Sequence, residues 1–264
     1  MLGKETKDGA GAPERGDPLL VQSVLKAFAV LHAFDAANRS LGLAQIAAID
    51  DMGKSAAQRF AHTLVQAGYL AKDPQTKRFE LTARTLTLGS QYIHTHELVS
   101  RATPYLQQLS NATRETVNLT LRDGLEIVFA ARFPSQHVLN SDVVVGTRLP
   151  AFCTAPGIAM LSRMPRAEAM AVLRESDRRA YTASTTRDLG APERKLEQAA
   201  TLGYAVAWEE YYPGDLSIAS AILDAAQRPV GAVNVGVSRA RYTPEEAEAA
   251  FQSLVVATAH SISG

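Results

Sequence analysis

A glycine turn between two short amphipathic segments, followed directly by a hairpin pattern, constrains the fold of this chain most. Residues 43–49 have apolar side chains at helical spacing, Met52-Gly53 follows as a turn, and a second helix is predicted from residue 54 or 55 to residue 67. Gly68 suits the C-terminal cap of this second helix, because glycine adopts positive φ without steric cost. Two helices joined by such a turn are typical of a helix-turn-helix.

The segments on either side extend this pattern. Residues 69–72 and 77–81 alternate as strands around turn-forming residues 73–76, which predicts a β-hairpin with basic residues near its tip. Upstream, residues 20–34 have helical spacing for about five turns of ~3.6 residues each, and Pro18 suits the start of that helix. Together these parts predict a winged helix-turn-helix domain, all-α apart from its hairpin.

The second helix of the pair has a polar face that suits contact with double-stranded DNA. Ala57, Leu64 and either Phe60 or Ala61 share the packing face, so the polar side chains lie on the other. Residues 19–95 contain eight Lys or Arg against five Asp or Glu, a local charge of +3. A solvated polar face is the alternative, but a basic hairpin beside it favours DNA phosphate as the partner. The predicted DNA-binding residues are Lys26, Lys54, Ser55, Gln58, Arg59, His62, Lys77 and Arg78.

The rest of the chain predicts a second domain of a different class. Residues 83–113 are helical in pattern, with Pro104 either kinking the helix or opening a new one. Beyond them, strands are predicted at residues 117–121, 126–133, 143–145, 205–208, 217–223 and 230–237, and helices at 155–162, 166–175, 191–202 and 244–261. These elements predict an α+β domain with a mostly antiparallel sheet.

The predicted organisation is therefore a disordered tail over residues 1–17, a winged helix-turn-helix over 18–82, a linker helix over 83–98 and a larger domain over 99–264. The 27 basic and 27 acidic residues balance, which argues against a protein that coats nucleic acid nonspecifically. The single cysteine, Cys153, excludes an internal disulfide, and no apolar stretch resembles a signal peptide or a membrane span. We expect a cytoplasmic protein with no membrane partner.

Separated segments of the chain resemble the IclR family of bacterial regulators, from about Val21 to the C-terminus. Residues 21–27 are similar to the family's opening helix, residues 53–70 to its recognition helix and the start of its wing, and residues 148–157 and 203–219 to its C-terminal signatures. The resemblance implies a GAF-like effector domain, homodimers that often pair into homotetramers, and metabolite-controlled binding to a palindromic operator in promoter DNA. The chain departs from the family at Gly53, usually proline, at Ala57, usually bulkier, and near Ala207, often acidic or polar.

Carried over position by position, the resemblance also implies an effector pocket. Its predicted residues are Ala155, Pro156, Ala207, Ser217, Asn234 and Gly236, with Phe152, Cys153, Thr154 and Trp208 adjacent. Hydroxyl and amide groups in this set can bind a carboxylate or hydroxyl, the aromatic rings offer apolar walls, and a helix start at residues 155–157 would favour an anion. The runs 146–154 and 233–236 are most similar to the branch of the family that controls aromatic-acid catabolism. We therefore expect a regulator of a catabolic operon that responds to a small organic acid and uses no cofactor.

Two other function classes remain open. A sensor acting through protein contacts, with a weak DNA-binding domain, would account for the departures at Gly53 and Ala57. An enzyme would need Cys153 as nucleophile, but no catalytic signature surrounds it. Glu209-Glu210 is interpreted as a solvated pair or as one acid contacting a neighbouring loop, because adjacent strand residues face opposite sides. We expect no catalytic residue and no metal site, since histidines two apart, as at 94 and 96, diverge on a helix.

Overall fold

Contacts in the computed structural model, which describes residues 17–137 and 143–264, divide the chain into one unit up to Tyr92 and a second from Ile93 onward. This division falls inside the linker helix predicted for residues 83–98. The tail predicted for residues 1–17 lies outside the described residues except for Asp17. The domain limits derived from the sequence remain predictions.

The N-terminal unit contains the predicted helix-turn-helix and its hairpin. Its elements are α1 (Gln22–His32), β1 (Ser40–Leu41), α2 (Leu43–Ala48), α3 (Gly53–Gln66), β2 (Leu70–Lys72) and β3 (Phe79–Leu81), and α4 (Thr85–Thr95) follows. The strands form an antiparallel sheet in the order β1-β3-β2. The sequence pattern missed β1, because two residues are too few to show alternation. It also predicted α1 too long, from Pro18 or Leu20 to Phe34 instead of Gln22 to His32.

The turn between α2 and α3 has an unusual backbone. Asp50, Asp51 and Gly53 have φ values of 53°, 48° and 58°, in the left-handed region. Proline cannot adopt such a value, because its ring fixes φ near −65°. Glycine at position 53 therefore suits the turn of this chain, where the family usually has proline. Beyond the turn, Ala57 is fully buried with Ile46 of α2 in the core of the unit, so a small side chain fits this position.

The C-terminal unit is built on a six-stranded antiparallel sheet. Its elements are α5 (Glu97–Thr113), β4 (Thr116–Asp123), β5 (Glu126–Phe133), β6 (Arg148–Pro150), α6 (Ala155–Leu161), α7 (Arg166–Glu175), α8 (Gly190–Leu202), β7 (Ala205–Trp208), β8 (Asp215–Leu223), β9 (Pro229–Ser238) and α9 (Pro244–Ile262). The strand order is β6-β5-β4-β9-β8-β7, and each neighbouring pair is antiparallel. The fold class predicted from the sequence is confirmed.

Helices cover both faces of this sheet. On one face α5 and α9 pack against apolar strand residues such as Leu119, Ile218 and Val233. On the other, α6 packs against smaller residues such as Ala219 and Ala232, α8 packs against β7, and α7 completes the core on this side. Side chains of a strand alternate between its two faces, so the polar residues that lie between the apolar strand residues facing α5 and α9 point toward α6. No helix within residues 17–137 and 143–264 is long and apolar enough to cross a membrane.

Two predictions for elements of the C-terminal unit are wrong. Residues 143–145 form no strand, because the chain turns at Gly146, with φ of 91°, and the strand begins at Arg148. The helical region predicted over residues 83–113 breaks at His96, whose backbone is extended. It was predicted to kink or restart at Pro104, but α5 continues through that residue. A proline removes a single N–H, and packing of α5 on the sheet maintains the helix around it.

Candidate nucleic-acid interface and ligand cavity

The structure brings five predicted DNA-binding residues together on the exposed side of α3. Ser55, Gln58, Arg59 and His62 are exposed at spacings of three and four residues, so they share one face, and Lys54 is exposed at the start of the helix. The opposite face is buried in the core of the unit. This face of α3 offers hydrogen-bond donors and acceptors on an element whose width fits the major groove.

Lys26 lies apart from this face. It is half-buried on α1 and lines a groove between α1 and α3 together with Arg59. The rest of the groove is largely apolar and includes Phe28, Leu31 and Phe60. Arg59 therefore stands at the edge between the polar face of α3 and this groove.

The two basic residues of the hairpin have different surroundings. Lys77 is exposed in the turn with φ of 59°. Arg78 is half-buried: its Nε donates to Ser40 Oγ at 2.8 Å, and its Nη2 donates to Ser40 O at 2.5 Å and to Gln45 Oε1 at 3.0 Å. Arg78, predicted to contact phosphate, therefore ties the hairpin to β1 and α2. Most of its guanidinium hydrogen bonds thus position the wing, and its contact with phosphate stays a prediction.

The second candidate site is a cavity on the α6 face of the large sheet. Its volume is about 60 Å³, against ~10–15 Å³ for a single water. The predicted effector residues that line it are Cys153, Thr154, Ala155, Pro156, Ala207, Ser217, Asn234 and Gly236. Further lining residues, which the sequence analysis missed, include Asn118, Arg132, Glu210, Tyr211, Tyr212 and Asp215.

Two predicted effector residues do not line the cavity. Trp208 follows Ala207 on β7, so strand alternation turns it to the opposite face of the sheet, where it packs against the core formed by α5 and α9. Phe152 is fully buried behind the cavity wall, with its ring centroid 6.4 Å from that of Tyr181. Both predictions are corrected: these two rings pack in the core of the domain and do not line the cavity.

A hydrogen-bonded chain of side chains crosses the cavity floor. Asn234 Nδ2 donates to Ser217 Oγ at 3.0 Å, Asn118 Nδ2 donates to Asn234 Oδ1 at 3.3 Å, and Arg132 Nη1 donates to Asn118 Oδ1 at 3.0 Å. These residues come from β8, β9, β4 and β5, where the strand register aligns them. Burial lowers the pKa of the half-buried Arg132, and the negative charge of Asp215 opposes this effect. Arg132 thus provides a cation at one end of the cavity.

A β-bulge directs Arg132 into the cavity. In the pairing of β4 with β5, Leu119 is opposite Ala131 while Thr120 is opposite Phe129, so Ala130 is the extra residue. The bulge shifts the alternation of β5 by one residue. As a result Arg132 lines the same cavity as Phe129, although the two are an odd number of positions apart in the strand.

Glu210 forms part of another wall. It is 5% exposed and pairs with Lys195, while its backbone carbonyl accepts from Thr185 Oγ1 at 2.6 Å. Burial raises the pKa of Glu210, and Lys195 opposes that rise. Of the two alternatives predicted for Glu209-Glu210, the solvated pair is wrong, whereas one acid does contact a neighbouring loop, because Glu209 Oε1 accepts from Gly214 N at 2.9 Å. The chain leaves β7 before Glu209, whose φ of 55° turns the next residue inward.

The Cys153 thiol is unsuited to nucleophilic attack. It is 1% exposed, and burial together with the negative charge of Glu210 raises its pKa to about 12. A cysteine nucleophile reacts as the thiolate, which is scarce at neutral pH for such a group. Among the described residues, no group of three or more His, Cys, Asp or Glu side chains is placed to hold a metal ion.

Comparisons with known proteins agree on one family. The family model described as bacterial transcriptional regulator IclR C-terminal matches residues 90–264, and the IclR helix-turn-helix domain matches residues 23–74. The Pca regulon regulatory protein of Pseudomonas putida is 32% identical over 94% of this chain and 84% of its own length. Among solved structures, the protein RHA06195 from Rhodococcus sp. RHA1 is 32% identical with a TM-score of 0.81, covering 92% of this chain and 97% of that one. An IclR homolog from Microbacterium hydrocarbonoxydans, complexed with 4-hydroxybenzoate, has a TM-score of 0.74 at 20% identity, covering 91% of this chain and 97% of that one.

Proposed function

This chain belongs to the IclR family and is a ligand-responsive, DNA-binding transcriptional regulator, and we propose that its effector is a small organic acid held through Arg132. The single observation that carries this proposal is a half-buried guanidinium at the end of a floor of hydroxyl and amide groups, with Asp215 as the negative charge near it. A carboxylate binds guanidinium through charge-assisted hydrogen bonds, which are stronger than neutral ones.

The floor beside Arg132 suits the rest of a carboxylate ligand. Ser217, Asn118 and Asn234 are nearly fully buried and provide hydroxyl and amide groups on one surface. The start of α6 adds little, since this helix has only seven residues and Pro156 lacks an N–H. Recognition of the acid therefore depends on side chains of the sheet.

We propose an aromatic acid and a catabolic operon as the finer assignment. Support comes from two relatives: one is named for the Pca regulon, and the other was solved with 4-hydroxybenzoate. The apolar lining from Phe129, Tyr211 and Pro156 suits a ring. The cytoplasm is the compartment in which such a regulator would act.

The proposed partner is a palindromic operator, bound by a homodimer or by a homotetramer of two such dimers. Exposed apolar side chains on α1 and α4 support self-association: Val24 and Phe28 are each 48% exposed, and Leu86 is 72% exposed. Two copies of α3 would then enter half-sites separated by about 34–36 Å or a multiple of it. On this proposal Lys54, Ser55, Gln58, Arg59 and His62 contact the groove, with Lys26 and Lys77 beside it.

Titration of the full chain with benzoate and 4-hydroxybenzoate tests the effector proposal. Arg132→Gln should weaken binding of either acid by about 10- to 150-fold, the equivalent of ~1.5–3 kcal/mol for hydrogen bonds to a charged group. Arg122→Gln is the matched control, because Arg122 is exposed and outside the cavity. Unchanged affinity in Arg132→Gln would refute the assignment of the acid to this residue.

Operator binding tests the nucleic-acid interface separately. Gln58→Ala should reduce affinity for promoter DNA by the ~1–3 kcal/mol of a bidentate base contact. Gln66→Ala is the control, since Gln66 is exposed at the far end of α3. Arg59→Ala should lower the salt dependence of binding by about one phosphate contact. Wild-type binding by both Gln58→Ala and Arg59→Ala would contradict the proposed role of α3.

A further inference from the structure

Besides Arg132 and Asp215, the cavity has a further charged residue, Glu210, which the proposed contact with Arg132 does not use. Glu210 lines the wall that follows β7, whereas Arg132 stands on β5, and three strands separate these two in the sheet. Their charges are opposite. A ligand whose carboxylate contacts Arg132 would therefore present its remote end to a carboxylate.

Glu210 has one oxygen without a donor. Its Oε1 pairs with Lys195 Nζ, but within residues 17–137 and 143–264 no donor makes a hydrogen bond to the buried Oε2. The hydroxyl and backbone N–H of Thr186 act on this carboxyl as donors that favour its charged form, but neither meets the distance and angle of a hydrogen bond to Oε2. Buried acceptors in folded proteins are nearly always paired, because an unpaired one keeps its full cost of desolvation. Glu210 lines the cavity, so this buried oxygen is the acceptor left for a ligand whose donor reaches it.

The surroundings of Glu210 fix it in place. Hydroxyl groups of Thr182 and Thr185 hold the backbone carbonyls of Glu209 and Glu210 at 2.5 and 2.6 Å. The ring of the next residue, Tyr211, lies 4.5 Å from that of Tyr181. A side chain anchored in this way, and paired with Lys195, has little freedom to turn toward solvent.

We propose that Glu210 is the specificity-determining residue of this cavity and selects acids with a hydroxyl or amino donor at the end remote from the carboxylate. This inference rests on the proposed function, since it takes the carboxylate to lie at Arg132. The donor hydrogen of the ligand bonds to Glu210 Oε2. An acid of equal size without the donor leaves that oxygen buried and unpaired, so it binds more weakly.

Isothermal titration of the full chain with 4-hydroxybenzoate, benzoate and 4-methoxybenzoate tests this selection. The wild-type protein should bind 4-hydroxybenzoate at least about 10-fold more tightly than either acid that lacks a donor. In Glu210→Ala this preference should fall to about one. Glu210→Gln keeps a neutral acceptor and should retain part of the preference. Glu197→Ala, on the exposed side of α8, should behave as wild type.

The outcomes separate this inference from the proposed function. If the wild-type protein binds all three acids equally, the role of Glu210 is overturned while the acid cavity stands. If none of the acids binds, the proposed function itself fails and the inference with it. If Glu210→Ala does not fold, the comparison of the three acids on the wild-type protein still decides, because 4-methoxybenzoate and 4-hydroxybenzoate differ in the donor.

Discussion

Gly157 is the position in the C-terminal unit at which a single methyl group should have the largest effect. A Cβ at this residue would lie 2.1 Å from the Ala151 carbonyl oxygen and 2.5 Å from Ala151 Cα, both backbone atoms. The two buried segments would have to separate by more than about 1 Å, and overpacking of this kind costs ~1–3 kcal/mol. The nearest atoms belong to the backbone, so no side chain can rotate to make room. We therefore expect Gly157→Ala to lower the free energy of unfolding by about 3 kcal/mol.

Trp208 provides the assay, because it is the only tryptophan of the chain and lies in the C-terminal unit. Urea denaturation followed by its fluorescence reports on this unit alone. For a domain of this size the loss corresponds to a lower midpoint of thermal unfolding by roughly 6–12 °C. Gly236→Ala is the control, since its Cβ would meet no atom closer than 3.9 Å. Equal stability of the two variants would refute the clash at Ala151.

Three further predictions concern the turn, the wing and the thiol. Gly53→Pro should destabilise the N-terminal unit by more than about 1 kcal/mol and weaken operator binding, because φ of 58° is closed to proline; a stable, DNA-binding variant would contradict the geometry of the turn. Arg78→Ala should cost about 1–2 kcal/mol of stability, discounted for partial exposure, measured by thermal unfolding, whereas Lys77→Ala should weaken DNA binding without that cost. Alkylation of Cys153 by iodoacetamide at pH 8 should be slower than that of an ordinary thiol by roughly 1000-fold, as its pKa of about 12 implies, and rapid labelling of the folded protein would contradict its burial.

The elements with a long, regular pattern could be predicted from the sequence. The helix at Arg166–Glu175 and the strands at Glu126–Phe133 and Ala205–Trp208 have the same bounds in the prediction and in the structure. Each buries one face against a continuous core, so its apolar spacing records its environment. The failures are short or strained: β1 has two residues, and the turn at Gly146 interrupts an apolar run that resembles a strand. In such segments a few backbone angles determine the local structure, and the pattern of side chains does not predict them.

The sequence did not predict the charged residues of the cavity, for a different reason. Counting by twos along β5 places Arg132 on the face opposite Phe129, and only the extra residue at Ala130 reverses this. The same counting, applied to Glu209 and Glu210 although the predicted strand ends at Trp208, missed the inward turn of Glu210. In both cases one backbone irregularity changes which face a charge occupies, and a single sequence gives no pattern from which to place it.

The polar floor shows a further limit, because its members are ordinary on their own strands. Ser217, Asn234 and Asn118 each alternate with apolar neighbours, as residues of many two-sided strands do. They become a site only through the pairing of β8 with β9 and of β9 with β4, which aligns residues 17 and 116 positions apart in the chain. Ligand recognition here is thus a property of strand register. A one-residue slip of β9 would turn Asn234 into the core of α5 and α9 and remove the cavity floor.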